Sequence, residues 1–128
     1  MSSTFLRRVL LADGAISGVA GLVMFAGAGA LEGLLGVPSA LLLYAGLSLF
    51  PWVAYVIFVA TRDQLSRASV WSVIALNAVW VIGSVLLLID GPVEPTTFGY
   101  AFILAQALTV AVLTDLEYVG LRRISVAA

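Results

Sequence analysis

The basic residues of this chain all fall on one side of a pattern of four apolar stretches, each about 22 residues long, which is the length that crosses a bilayer as a helix. Arg7 and Arg8 precede the first stretch, Arg62 and Arg67 separate the second from the third, and Arg122 and Arg123 follow the fourth. The other two connections carry only acid, Glu32 in one and Asp90 with Glu94 in the other. Arginine near span ends is retained on the cytoplasmic side, so the asymmetry predicts a topology with both the N- and the C-terminus in the cytoplasm.

Composition points the same way. The 128 residues are 62% hydrophobic and 10% charged, with a mean hydropathy of +1.16. A soluble domain carries about 25% charged residues, and a small one buries only ~60–70% of its chain surface, so water could not solvate the remainder of this chain. Lipid can, and there every backbone polar group must be satisfied inside its own segment, which predicts helices. The net charge of −1 gives no basic footprint for nucleic acid. With no cysteine and no histidine, disulfides, thiol redox chemistry, Cys/His metal sites and His-ligated haem are excluded.

The expected spans are about 9–30, 39–60, 68–89 and 96–118, all within a single domain covering 1–128. Gly33, Gly36 and Pro38 break the chain before the second span, with Pro38 or Ser39 placed to start its helix. Thr61-Arg62-Asp63-Gln64 forms a short link, Asp90-Gly91-Pro92 stops the third span, and Pro95-Thr96-Thr97 opens the fourth. Short links join antiparallel neighbours, so the expected fold is an all-α, up-down-up-down bundle of four transmembrane helices. A competing reading takes Arg7-Arg8, the first apolar run and Ala26-Gly27-Ala28 as a cleavable signal peptide, which would leave three spans. Against it, the run exceeds the usual ~7–15 residues and Asp13 interrupts it.

Asp13 is the residue with the most chemistry to offer. An acid at mid-span costs ~2.5–3.5 kcal/mol to insert, and less toward the interface, so it needs a partner or a purpose. Tyr55, Ser72 and Thr114 lie at matching depth as candidate donors. The functional reading is a proton or cation site; the plain one is an acid bonded to a neighbouring hydroxyl or reaching toward Arg8. Deeper, Ser17, Ser48, Asn77 and Gln106 come one from each span and form an expected polar layer, either a packing clamp or a midplane ligand site. Asn77, Trp80 and Ser84 share a face of the third span. Trp71, Tyr100 and Tyr118 read as interfacial anchors, and Pro51 as a kink in the second span. Gly14 and Gly18, with Ser17 and Gly21, make a small-residue ridge on the first span that admits a close helix neighbour. Asp115, Glu117, Arg122 and Arg123 read as a mixed-charge helix end suited to lipid headgroups. No nucleophile elbow, phosphate loop, paired-carboxylate or metal-ligand spacing appears in the sequence.

The stretches Leu6-Arg7-Arg8-Val9-Leu10-Leu11-Ala12-Asp13, Ala75-Leu76-Asn77-Ala78-Val79-Trp80, Ala105-Gln106-Ala107 and Gly120-Leu121-Arg122-Arg123 resemble those of small four-span inner-membrane proteins of proteobacteria. That resemblance implies a bacterial inner-membrane location and brings no activity with it. Size, span number and an early membrane acid are also similar to the small multidrug resistance transporters, which carry Glu rather than Asp in the first span and differ in the surrounding motifs.

Three functions follow as expectations. The first is a non-enzymatic accessory or scaffolding subunit acting through helix–helix contacts, as a homo-oligomer or within a larger membrane complex. The second is a small oligomeric proton-coupled transporter or channel using Asp13. The third is a binder of a lipophilic, quinone-like ligand. The candidate binding or proton-site residues are Asp13, Ser17, Asn77, Trp80 and Gln106, with no catalytic residue, no metal and no cofactor expected.

Overall fold

A computed structural model describes residues 2–91 and 93–127, and all regular structure among them is helical. The helices are α1 (Ser2–Ala26), α2 (Ala28–Leu35), α3 (Ser39–Ala60), α4 (Arg67–Asp90) and α5 (Thr97–Ala127). Four of them contain stretches long and apolar enough to cross a membrane: Thr4–Ala26, Ser39–Ala60, Arg67–Asp90 and Thr97–Arg123. Their outer faces are apolar, as at Val19, Tyr44, Val79 and Leu108, each more than 60% exposed. Surface of that kind is stable against lipid and not against water.

The helices depart from the sequence expectation in three places. The first span does not run over 9–30. The apolar stretch begins at Thr4, so Arg7 and Arg8 lie within α1 instead of before it, and the helix stops at Ala26. Second, the connection before α3 is not an open turn. After Gly27 the chain resumes as α2, whose eight residues span about 12 Å and are too short to cross. Third, α5 continues to Ala127, well beyond the expected end at 118. The Ala26-Gly27-Ala28 segment is the junction between α1 and α2, and Ala28 is buried. Pro92 lies outside the described residues.

Local chemistry explains the helix ends. Gly36 closes α2 in the left-handed conformation, φ 69°, donating to the Glu32 carbonyl at 2.9 Å. A side chain there would also lie 2.8 Å from the Glu94 carbonyl oxygen, so both the dihedral and the space require glycine. Thr96 caps α5: its Oγ1 accepts from the Gly99 amide at 3.1 Å. The same residue ties down the end of α2, its amide donating to the Leu35 carbonyl at 2.9 Å and its hydroxyl to the Leu34 carbonyl at 2.7 Å. Ser66 caps α4 by accepting from the Ser69 amide at 3.2 Å. The helix α3 runs through Pro51 without interruption.

At the arginine end, Arg7 reaches from α1 to the end of α3. Its guanidinium donates to the carbonyls of Ala60 at 2.7 Å, of Asp63 at 2.7 Å, and of Arg62. A cation on the last carbonyls of a helix satisfies orphan acceptors and complements the negative end of the helix dipole. Arg7→Ala is therefore expected to lower stability by roughly 1–2 kcal/mol, read as a fall in the thermal unfolding midpoint in mild detergent. An unchanged midpoint would show that these bonds are exchanged for water without loss.

Two apolar cores occupy the two ends. Leu6, Leu10, Val56, Val59, Val73 and Leu121 form one, near the arginines. Met24, Leu35, Val37, Leu42, Leu49 and Ile103 form the other. Along α1, Asp13 and Ser17 fall between the two sets; along α5, Glu117 does the same.

A buried carboxyl pair joined by Asn77

Among the described residues two acids are completely buried, Asp13 on α1 and Glu117 on α5, both with 0% exposure. Between them stands Asn77 of α4, 4% exposed. Its Nδ2 donates to Asp13 Oδ2 at 2.9 Å and to Glu117 Oε1 at 3.1 Å. One amide nitrogen thus holds carboxyl oxygens from two other helices no more than about 6 Å apart. Ser17, one turn along α1, donates to Asp13 Oδ1 at 3.3 Å. Both oxygens of Asp13 therefore have donors. Glu117 Oε2 is buried and has no hydrogen-bond partner. Among the described residues no arginine donates to either carboxyl; the recorded arginine hydrogen bonds are those of Arg7 to backbone.

The helices place these groups by simple periodicity. Leu113, Glu117 and Leu121 recur every fourth residue on the buried face of α5, so Glu117 occupies a position that the pattern gives to leucine. Asp13, Ser17 and Gly21 share the inward face of α1. Asn77 follows Val70, Val73 and Ile74 at the same buried spacing on α4.

Glu117 is the residue that the sequence reading misplaced. With the fourth span ended at 118, it looked like part of a charged helix end. Because α5 runs on, Glu117 is inside the apolar stretch, five residues before Arg122, just as Asp13 is five residues after Arg8. At ~1.5 Å per residue both acids lie about 7–8 Å along their helices from those arginines. That matched spacing, and the four-residue spacing from two leucines, were visible signals.

The donors expected for Asp13 are engaged elsewhere. Tyr55 and Ser72 hydroxyls lie 2.6 Å apart, and since Ser72 donates to the Ser69 carbonyl at 2.6 Å, Tyr55 is the donor of the pair. Thr114 donates to the Val110 carbonyl at 2.7 Å. The expected polar layer also divides. Ser17 and Asn77 belong to the carboxyl cluster, whereas Ser48 is exposed and donates to the Ala45 carbonyl at 2.7 Å. Gln106 belongs to a second cluster: its Oε1 accepts from Trp80 Nε1 at 2.6 Å, and its Nε2 donates to Ser84 Oγ at 3.0 Å and to the Ile103 carbonyl at 2.9 Å. Trp80 and Gln106 satisfy each other and clamp α4 to α5, away from the bonds that Asn77 makes.

The small-residue ridge is consumed inside the molecule. A methyl on Gly14 would lie 3.1 Å from the Ile57 side chain, and one on Gly21 would lie 3.1 Å from Leu49 and 3.3 Å from the Gly46 carbonyl. These glycines let α3 approach α1 closely, which also brings Asp13 inward.

Taken together, the geometry defines an all-helical protein with four membrane-length helices and a carboxyl–amide–carboxyl cluster joining three of them. Comparisons with protein-family models, curated proteins and solved structures matched nothing.

Proposed function

We propose that this chain is an integral protein of a bacterial inner membrane whose four long helices cross up, down, up and down, with both termini cytoplasmic. We further propose that the Asp13–Asn77–Glu117 cluster is its proton-binding site, through which it works as a small proton carrier assembled as an oligomer. The one-sided arginines support the orientation. The bonds from Arg7 to the end of α3 support antiparallel neighbours for the first two crossings.

The observation that carries the proton site is the pairing of two fully buried carboxyls on one amide, with Glu117 Oε2 unpartnered. Two ionised carboxylates within about 6 Å of each other repel by about 3 kcal/mol or more even at an effective dielectric of ~20, before any desolvation. A single proton removes that repulsion. Asp13 has a donor on each oxygen, and Oε2 of Glu117 is the atom left free to carry the proton. A metal cation suits the cluster less well, because the Asn77 N–H groups point at both carboxyls where the cation would sit. Gain or loss of that proton changes what holds α1, α4 and α5 together, which is the coupling a carrier needs.

The test is proton flux into vesicles that contain the purified protein and an internal pH dye. The wild-type chain is expected to dissipate an imposed pH gradient faster than protein-free vesicles, and the Asp13→Asn/Glu117→Gln pair to abolish the difference. Wild-type vesicles no leakier than empty ones would remove the carrier reading. The infrared carbonyl band of a protonated carboxyl, present in the wild type and lost in the double variant, checks the bound proton independently of flux.

A second reading, an accessory subunit acting through helix contacts, has one supporting observation. Gly83 on α4 has open space around it, flanked by the exposed side chains of Val79, Ile82 and Leu86. Such a notch admits a helix from another subunit.

A further inference from the structure

Six arginines and two exposed acids, Asp63 and Asp115, mark one end of the helices, whereas the connections at the other end carry Glu32, Asp90 and Glu94. Those eight side chains sum to a net four positive charges, so the molecule is polarised along its helices. Arg7 is committed to the α3 carbonyls. Three others are arranged differently, with their guanidinium groups laid over aromatic rings: Arg62 over Phe58 at 4.4 Å, Arg122 over Tyr118 at 5.7 Å, and Arg123 over Phe5 at 4.7 Å. The first two rings stand four residues before their arginine, Phe58 near the end of α3 with Arg62 in the link that follows, and Tyr118 on α5 with Arg122; the third is supplied by α1.

A guanidinium held over a ring face by the ring's negative quadrupole keeps its N–H groups unspent. Among the described residues, none of these three arginines has a recorded side-chain hydrogen bond to protein. A planar fork of donors matches two oxygens of a phosphate. The rings beneath them belong to the apolar helix ends, at the level where aromatic side chains meet lipid headgroups. Arg62 and Arg123 flank the first turns of α1, since Arg7 contacts the Arg62 backbone and Phe5 lies under Arg123.

We infer that this aromatic-backed arginine surface binds the phosphodiester headgroups of anionic phospholipids on the cytoplasmic leaflet. It selects them over zwitterionic lipids through fixed guanidinium forks and not through net charge alone. Phosphate is the shared chemistry with soluble anions, and the position of the rings at the ends of four apolar helices commits the site to lipid. The inference rests on the membrane-spanning reading but is independent of the proton site.

The experiment uses the full chain in mild detergent, titrated with phosphatidylglycerol or with phosphatidylcholine, and counts bound lipid by native mass spectrometry. Phosphatidylglycerol is expected to be retained preferentially, and Arg122→Gln/Arg123→Gln to weaken its retention roughly 30-fold, at about fivefold per arginine near a surface. Arg122→Lys/Arg123→Lys keeps the charge and loses the fork, and is expected to lose most of the preference. Equal retention of both lipids, lysine variants as selective as wild type, or displacement of the lipid by millimolar inorganic phosphate would each overturn the inference. Failure of the spanning reading shows separately: it would release the chain from native membranes in alkaline carbonate without detergent.

Discussion

Asn77→Leu is expected to lower stability by roughly 2–3 kcal/mol, a larger loss than removal of any other single polar side chain between the helices. The amide makes two interhelical bonds, at 2.9 and 3.1 Å, and membrane bonds of this kind contribute ~0.6 kcal/mol on average with a maximum near 1.7. Removing it also leaves two buried carboxyls facing each other with nothing between them, which adds the cost of unpartnered polar groups. The sign can be checked with neighbouring variants. Asn77→Asp places a third acid in the cluster and is expected to be worse. The triple change Asp13→Leu/Asn77→Leu/Glu117→Leu takes out every polar member and is expected to recover stability to near wild type, because replacing a buried polar network whole is far cheaper than breaking it. Thermal unfolding in mild detergent reads all three. A leucine at 77 as stable as asparagine would mean that the amide does not hold the helices together, and the cluster would lose its structural role.

Gly46→Leu is expected to be strongly damaging, at roughly 3–5 kcal/mol or outright failure to accumulate in the membrane. A Cβ at position 46 would lie 2.8 Å from the Phe25 amide nitrogen and 2.9 Å from the Gly21 carbonyl oxygen. Both are backbone atoms of α1, so no side chain can rotate away and the two helices must separate. Separation would withdraw Asp13 from Asn77, and so proton binding is expected to fall together with stability. Gly83→Leu is the internal control. No atom lies within 4 Å of a Cβ at that site, so in an isolated protein the change is expected to stay within about 0.5 kcal/mol of wild type. If Gly46→Leu unfolds no more readily than Gly83→Leu, the close α1–α3 approach is not what the molecule relies on. If Gly83→Leu is silent in detergent yet harmful in the cell, the accessory-subunit reading gains ground.

How much could be read without coordinates differs from residue to residue. Asp13 stood out because a charge in an apolar run is costly wherever the helix turns, and Asn77 because an amide at that depth must find partners. That the two meet was not legible, since 64 residues separate them and period alone gives a face, not a neighbour. The donors chosen for Asp13 by depth, Tyr55, Ser72 and Thr114, failed for that reason: equal depth leaves the rotation of each helix open. Trp80 and Asn77 were read as one face, yet they serve different clusters, because three residues of helix carry a side chain about 4.5 Å along the axis and onto another partner. Glu117 was misread through a boundary error of a few residues, which moved it from inside the membrane stretch to its end. The eight-residue α2 is not legible because glycines at 27, 29, 33 and 36 look like turn signals, while its C-terminal end is tied by bonds to Thr96 from a distant part of the chain.

The sequence by itself determined what does not depend on neighbours: that the chain is helical, that four stretches match a bilayer's thickness, and that the guanidinium groups gather at one end. Those follow from hydropathy summed over long windows and from the cost of an unsatisfied backbone in hydrocarbon, both local quantities. Only the tertiary structure decided which acids share an amide, which glycines are pressed against another backbone, and which arginines sit over rings. Each of those is a distance between atoms far apart in the chain, fixed by the rotation and offset of packed helices, and a one-dimensional pattern carries no measure of either.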